Sequence, residues 1–435
     1  MSGNRDLELP PLGVTVGYFG AALLFLLAGS LGLIWVMPPV VEGLFPIARV
    51  VAVAHLFTLG WITLSILAAL HHIAPVALRA QLMPAYCAYL QLGMFIAGLL
   101  LFAGGAAGDL VRVQFAGSTL LATALVLFGA RLALAMLKAT SRTRTHWALL
   151  GAAGFLVITA TFGTLLAAHR LWGILGDRRE ALLALHAHVA LVGWVLLVVV
   201  AVSQRLLPMF LLARAPSIAV GRTAIALVAA GGGALLLFNG AGTMLRVWLP
   251  YLLVLAGTAL FLAQVARAFA ARTERELDPG MRLAGAGLVF LAITFFLAPI
   301  ALRIGWADPR AVTLYLGAAI LAALTLFVAG ISYRIIPFLV WSRRVGGTPL
   351  AERAPVPAAL YRAETAVFSI VLLALGAACV LIGIGKGQAD GARFGAIVFA
   401  AGAALTSGQL LRVLLLPPSA PRNSASPAAV RVIAK

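Results

Sequence analysis

Acidic residues are the scarcest feature of this 435-residue sequence. Thirteen Asp and Glu stand against 32 Lys and Arg, and the charged residues together make up only 10% of the chain. A soluble domain carries roughly a quarter charged residues, so a conventional water-facing surface is excluded. Cysteine is nearly absent as well. Cys87 and Cys379 each lie inside an apolar segment without any CxxC or Cys/His spacing, which excludes a disulfide framework or a zinc ribbon and leaves both as helix-packing residues. The few carboxylates avoid the apolar segments. Glu42, Asp109, Asp177, Glu180 and Asp308 fall in predicted loops, so a proton channel built on buried acids is not supported. No glycine-rich loop stands between a strand and a helix, and the run Gly231-Gly232-Gly233 serves close helix contact, so no nucleotide site is visible.

What fills the sequence is apolar: 63% of its residues are hydrophobic. Runs of about 20 such residues, enough to cross about 30 Å of hydrocarbon as a helix, recur along almost the whole chain. The predicted spans are about 13–36, 47–78, 84–106, 113–138, 147–168, 184–213, 218–240, 247–270, 283–303, 311–341, 362–385 and 392–416. They specify an all-α polytopic membrane bundle of about 12 transmembrane helices, a single transmembrane domain over residues 1–416 with the lipid bilayer as its first partner. The opening MSGNRDLELPPLG is polar and no cleavage site follows, so the first helix is expected to be retained. The tail 417–435 is rich in Pro, Ser and Ala without an apolar period and is expected to be disordered in the cytoplasm.

The net charge of +19 does not point to nucleic acid, because the basic residues are scattered among short loops and do not gather on one face. They report orientation instead. Of the 32 Lys and Arg, 21 fall on the side that holds both termini and 10 on the opposite side, with Arg131 inside a helix. Cytoplasmic loops are enriched in Lys and Arg, which places both termini in the cytoplasm of a bacterial-type inner (plasma) membrane.

Helices two, six and ten carry an internal repeat. HLFTLGWITLSILAALHHIAPV from His55 and HVALVGWVLLVVVAVSQRLLPM from His188 match at His55/His188, Gly60/Gly193, Trp61/Trp194 and Pro75/Pro208, every pair at the same offset along the chain. Helix ten ends in YRIIPF, where Tyr333, Arg334 and Pro337 follow Gln204, Arg205 and Pro208 at a second constant offset. The implied units, about 13–140, 147–272 and 283–416, each hold four helices, so the three copies are expected to be parallel. The long second helix of each unit is expected to be an inner helix, and its shared Pro to mark a kink or stop near the cytoplasmic end.

Seven histidines remain: His55, His71, His72, His146, His169, His186 and His188. An imidazole inside a membrane is costly unless it meets a partner, a cavity or a metal, and neutral imidazole suits haem iron and copper. His55 opens helix two, and His186 and His188 open helix six, all at the extracytoplasmic end. Residues two apart point to nearly opposite sides of a helix, and the repeat superposes His188 on His55, so His55 and His188 are expected to meet near a shared axis with His186 as a possible third ligand. His71 and His72, at the other end of helix two, and the equivalent Arg205 and Arg334 form a candidate cytoplasmic-side site. The bland reading, solvation or snorkelling at the interface, is preferred for these four. His146 reads as loop surface, and His169 as a structural loop residue.

Twelve helices in three groups of four, with His at the outer end of helix two and HAHVALVGW opening helix six, resemble the haem–copper oxidase subunit I superfamily over roughly residues 13–416. The likeness is to its divergent members, and more distantly to the haem- and copper-containing NnrS proteins of nitric oxide metabolism. The resemblance implies that His55 stands at the helix-two ligand position of a low-spin haem, with His188 or His186 at a helix-six ligand position. It also implies ligands on helices seven and ten, and neither helix contains His here. The catalytic binuclear centre is therefore not expected, nor is terminal oxidase activity. The expectation is a membrane protein binding haem or copper through His55, His186 and His188, in electron transfer, nitric oxide or redox sensing, or metal handling, with a redox partner or other membrane subunits. The alternatives are a permease for a metal ion or small solute and a cofactor-free accessory or assembly subunit.

Overall fold

Hydrocarbon offers no hydrogen bonds, so a chain this apolar must satisfy its backbone groups internally, and consecutive helices do so. The computed structural model describes residues 12–416 apart from 79–81, 140–141, 215–216, 238–243, 275, 305–306 and 346–355. The expected tail 417–435 lies outside the described residues. Twelve helices are long and apolar enough to span a membrane: α1 (Leu12–Val41), α2 (Ala48–Pro75), α3 (Ala85–Ala107), α4 (Val111–Lys138), α5 (Arg144–Trp172), α6 (Gly176–Phe210), α7 (Ile218–Leu237), α8 (Leu245–Ala270), α9 (Pro279–Ile304), α10 (Arg310–Arg343), α11 (Ala363–Lys386) and α12 (Ala389–Leu414). No strand occurs among the described residues. The chain is an all-α, multi-pass membrane protein.

The expected inner helices are the inner helices. Buried residues make up 61%, 67% and 67% of the most apolar window in α2, α6 and α10, against 33–56% elsewhere. They are held by an outer ring in which α1 packs on α12, closing the circle. Within it α3 pairs with α4, α7 with α8 and α11 with α12, and glycine sets how closely the backbones approach. A Cβ on Gly98 would lie 2.7 Å from the Leu121 nitrogen, one on Gly257 2.9 Å from the Ala224 carbonyl oxygen, and one on Gly402 2.7 Å from the Leu373 nitrogen. Small residues of this kind permit the dispersion contacts that hold helices together in lipid, where no hydrophobic drive between them exists.

Each inner helix is interrupted by a π-helical stretch: Leu56–Thr63 in α2, Val189–Leu196 in α6 and Ala318–Leu324 in α10. They begin on the residues after His55, His188 and Gly317, positions separated by the same two offsets as the sequence repeat. A π turn leaves backbone carbonyls badly placed for the ordinary ladder, and Thr325 uses its hydroxyl on the Ile320 carbonyl at 2.8 Å, five residues back. The shared prolines kink or end nothing uniformly. Pro208 stands near the end of its helical segment at Phe210, whereas Pro337 lies inside one that continues to Val345.

Candidate functional site

At the end of the bundle where α2, α6 and α10 begin, His55 and His186 come together. Their ring centres are 6.1 Å apart and their planes 20° apart. His55 Nδ1 lies 2.7 Å from the Val51 carbonyl oxygen one turn back, and His186 Nδ1 lies 3.2 Å from the Thr159 carbonyl oxygen of α5. A carbonyl only accepts, so Nδ1 is the protonated nitrogen of each ring and Nε2 carries the lone pair. A fixed Nδ1–H on a backbone carbonyl is how a protein orients an imidazole that ligates through its other nitrogen. Phe102 covers His55 at a ring distance of 4.8 Å. Gly163 of α5 makes room for His186, since a Cβ there would stand 3.1 Å from the His186 Cε1.

The expected partnership of His55 with His188 is not the one the helices make. His188 lies against Tyr315 of α10, ring centres 5.9 Å and planes 18° apart, with its Nδ1 held at 2.8 Å by the Ala184 carbonyl. Residues two apart face opposite ways on α6, and α6 has an inner neighbour on each side. His186 therefore turns to α2 and His188 to α10. Nor is a three-imidazole set assembled, because no group of three or more His, Cys, Asp or Glu converges among the described residues. Tyr315 was missed in the sequence. It follows His186 at the same offset by which Tyr333 follows Gln204, so extending the repeat upstream along helix ten would have found it.

Ligand type separates the chemistry of the two contacts. A metal–imidazole bond of about 2.0 Å, with about 1.1 Å from the ligating nitrogen to the ring centre, puts two imidazoles on opposite sides of one metal roughly 6.2 Å apart, and closer where the angle at the metal is bent. The His55–His186 spacing matches. The His188–Tyr315 contact offers one imidazole and one phenol, and a phenol ordinarily keeps its proton at neutral pH, so this pair is the poorer ligand set.

The four residues expected at the opposite end go separate ways. His71 is not solvated at an interface: it is 2% exposed, set at a tilt against the Tyr18 and Phe128 rings with its Nδ1–H donated to the Leu67 carbonyl. His72 is half-buried and Arg205 is exposed. Arg334 does not snorkel to lipid. It pairs with Asp278 at 3.3 Å, donates to the Phe210 carbonyl at 2.7 Å and lies over the Phe210 ring, pinning the end of α6 to the start of α9. Tyr361 closes the same corner against Tyr333, and burial, with Asp278 nearby, pushes its phenol up to about 12. His146 is buried and caps α5 with Thr143, while His169 Nδ1 accepts from the Leu175 N–H just past the end of that helix.

No protein-family model matches the sequence, and no curated protein matches it.

Proposed function

We propose that this membrane protein holds one transition-metal centre, a haem iron or a copper ion, between α2 and α6 through the Nε2 atoms of His55 and His186. The observation that carries the reading is the paired geometry: two imidazoles at the spacing of a shared metal, each with Nδ1 spent on a backbone carbonyl. Neutral imidazole suits both metals, and either would supply one-electron chemistry when bound. This chain's own residues fix the two ligands in direction, cover His55 with Phe102 and seat the His186 ring against Gly163. The excess of Lys and Arg at the other end of the bundle orients this centre toward the extracytoplasmic side. The role that fits is electron transfer or redox sensing with a partner on that side, in line with the resemblance to haem–copper oxidase subunit I without its dioxygen-reducing centre. The matching offsets of the histidines, π stretches and ring pairs support three parallel units of four helices.

The test is an absorption spectrum of the purified protein, oxidised and reduced, with metal analysis on the same sample. A Soret band, or copper near one per chain without a Soret band, supports the centre and tells the two metals apart. Folded protein that takes up neither haem nor copper on reconstitution overturns it, and if that protein also moves a labelled solute across vesicles the permease reading takes its place.

A further inference from the structure

A second feature lies deeper, on the line around which α2, α6 and α10 are arranged. A chamber of about 70 Å³ is lined by five residues from each of these helices, together with Phe19 of α1. The five are not an arbitrary set. Every α2 position recurs in α6 at the offset that relates His55 to His188, and every α6 position recurs in α10 at the offset that relates Gln204 to Tyr333. Ala69, Val202 and Ile331 make one layer, and Leu70, Ser203 and Ser332 the next. Ala69, Val202 and Ile331 are only half-buried although they sit on the inner helices, because their side chains border this space. The chamber is therefore generated by the helix arrangement itself, about the common axis, and not by a single packing fault.

Its walls decide what it takes. A water molecule occupies about 30 Å³ in the liquid and needs two to four polar partners to be held in a cavity. The lining is aliphatic apart from Phe19, Phe327 and three serines, and Ser332 has already given its hydroxyl to the Val328 carbonyl at 2.8 Å. Ser65 Oγ, buried and without a protein partner, and the Ser203 hydroxyl are its remaining polar groups. A lining that is otherwise hydrocarbon favours an occupant that asks for few hydrogen bonds, as apolar cavities generally do.

We propose that this axial chamber is a binding site for a small uncharged apolar molecule of the size of a diatomic gas. The site is independent of the His55–His186 centre, and its test needs no metal. Xenon is the probe, applied under pressure to crystals of the full-length protein and followed by 129Xe titration in detergent solution. One xenon per chain is expected between Ala69, Val202 and Ile331. Ala69→Leu, which fills the space, is expected to weaken binding at least about tenfold, and Ile331→Phe does the same from α10 should the first variant not fold. Ser65→Ala is expected to bind xenon as well as the unaltered chain or better. Folded protein with no xenon in the chamber, or with ordered waters there bonded to Ser65 Oγ that xenon does not displace, overturns the proposal. So does a xenon affinity that survives both filling variants.

Discussion

The α2–α6 and α6–α10 contacts are built from corresponding positions and differ at one group. His55 and His188 are equivalent in the repeat, and each donates Nδ1–H to the carbonyl four residues back. Their ring partners, His186 and Tyr315, are equivalent in turn, and the ring spacings, 6.1 and 5.9 Å, are nearly the same. The helices thus set one spacing, and the ring at one position decides whether two imidazoles flank it or an imidazole and a protonated phenol. In the third contact of the series, between α10 and α2, the corresponding positions hold Gly317 and Val53, which carry no ligand. A sequence repeat shared by three inner helices would in this way leave only one pair of imidazoles.

Breaking the first contact has the largest expected effect. His186→Ala should lower metal or haem affinity by more than about a hundredfold, beyond the 10–100-fold typical of losing a residue that merely orients a ligand, as measured by competition with a chelator or by haem titration. Converting the second contact into the first is the next largest. Tyr315→His would place a second imidazole opposite His188, and metal per chain should rise from one toward two. An unchanged stoichiometry in folded protein would show that ring spacing alone does not make the site.

Gly163→Ala sharpens the comparison further. The added Cβ meets the His186 Cε1 at 3.1 Å, so the ring must give by a few tenths of an ångström, and affinity should fall by about tenfold or less. Asp278→Asn probes the far end of the bundle, where Arg334 would lose its charged partner. Both side chains are less than a third exposed, so a loss of about 1–3 kcal/mol in stability is expected, read as a lower midpoint of thermal unfolding with the metal content unchanged. The smallest effect on the metal is expected from His188→Ala, which should leave affinity within about twofold, since nothing in the His55–His186 contact depends on it.

The twelve helices were legible because hydrocarbon imposes a length and a composition that a window of sequence displays directly. So were the three inner helices, marked by their length and by the offset of His55, Gly60 and Trp61 from His188, Gly193 and Trp194. The rarity of intramembrane imidazole picked out His55, His186 and His188. Which of them pair was not legible, because that depends on which neighbour each face of α6 meets. Equivalence in the repeat suggested His55 with His188, yet equivalent residues in a ring of units point to equivalent interfaces, not to one another. Arg334 misled for a similar reason. Its partner Asp278 lies in the loop before α9, and no local pattern in helix ten announces it.

X-ray absorption at the metal edge tests the central claim most directly. With the purified protein loaded with its metal, the account expects a first shell containing two imidazole nitrogens at about 2.0 Å, reduced to one in His186→Ala and unchanged in His188→Ala. A bound metal whose first shell lacks imidazole, or keeps both imidazoles when residue 186 is alanine, would contradict it.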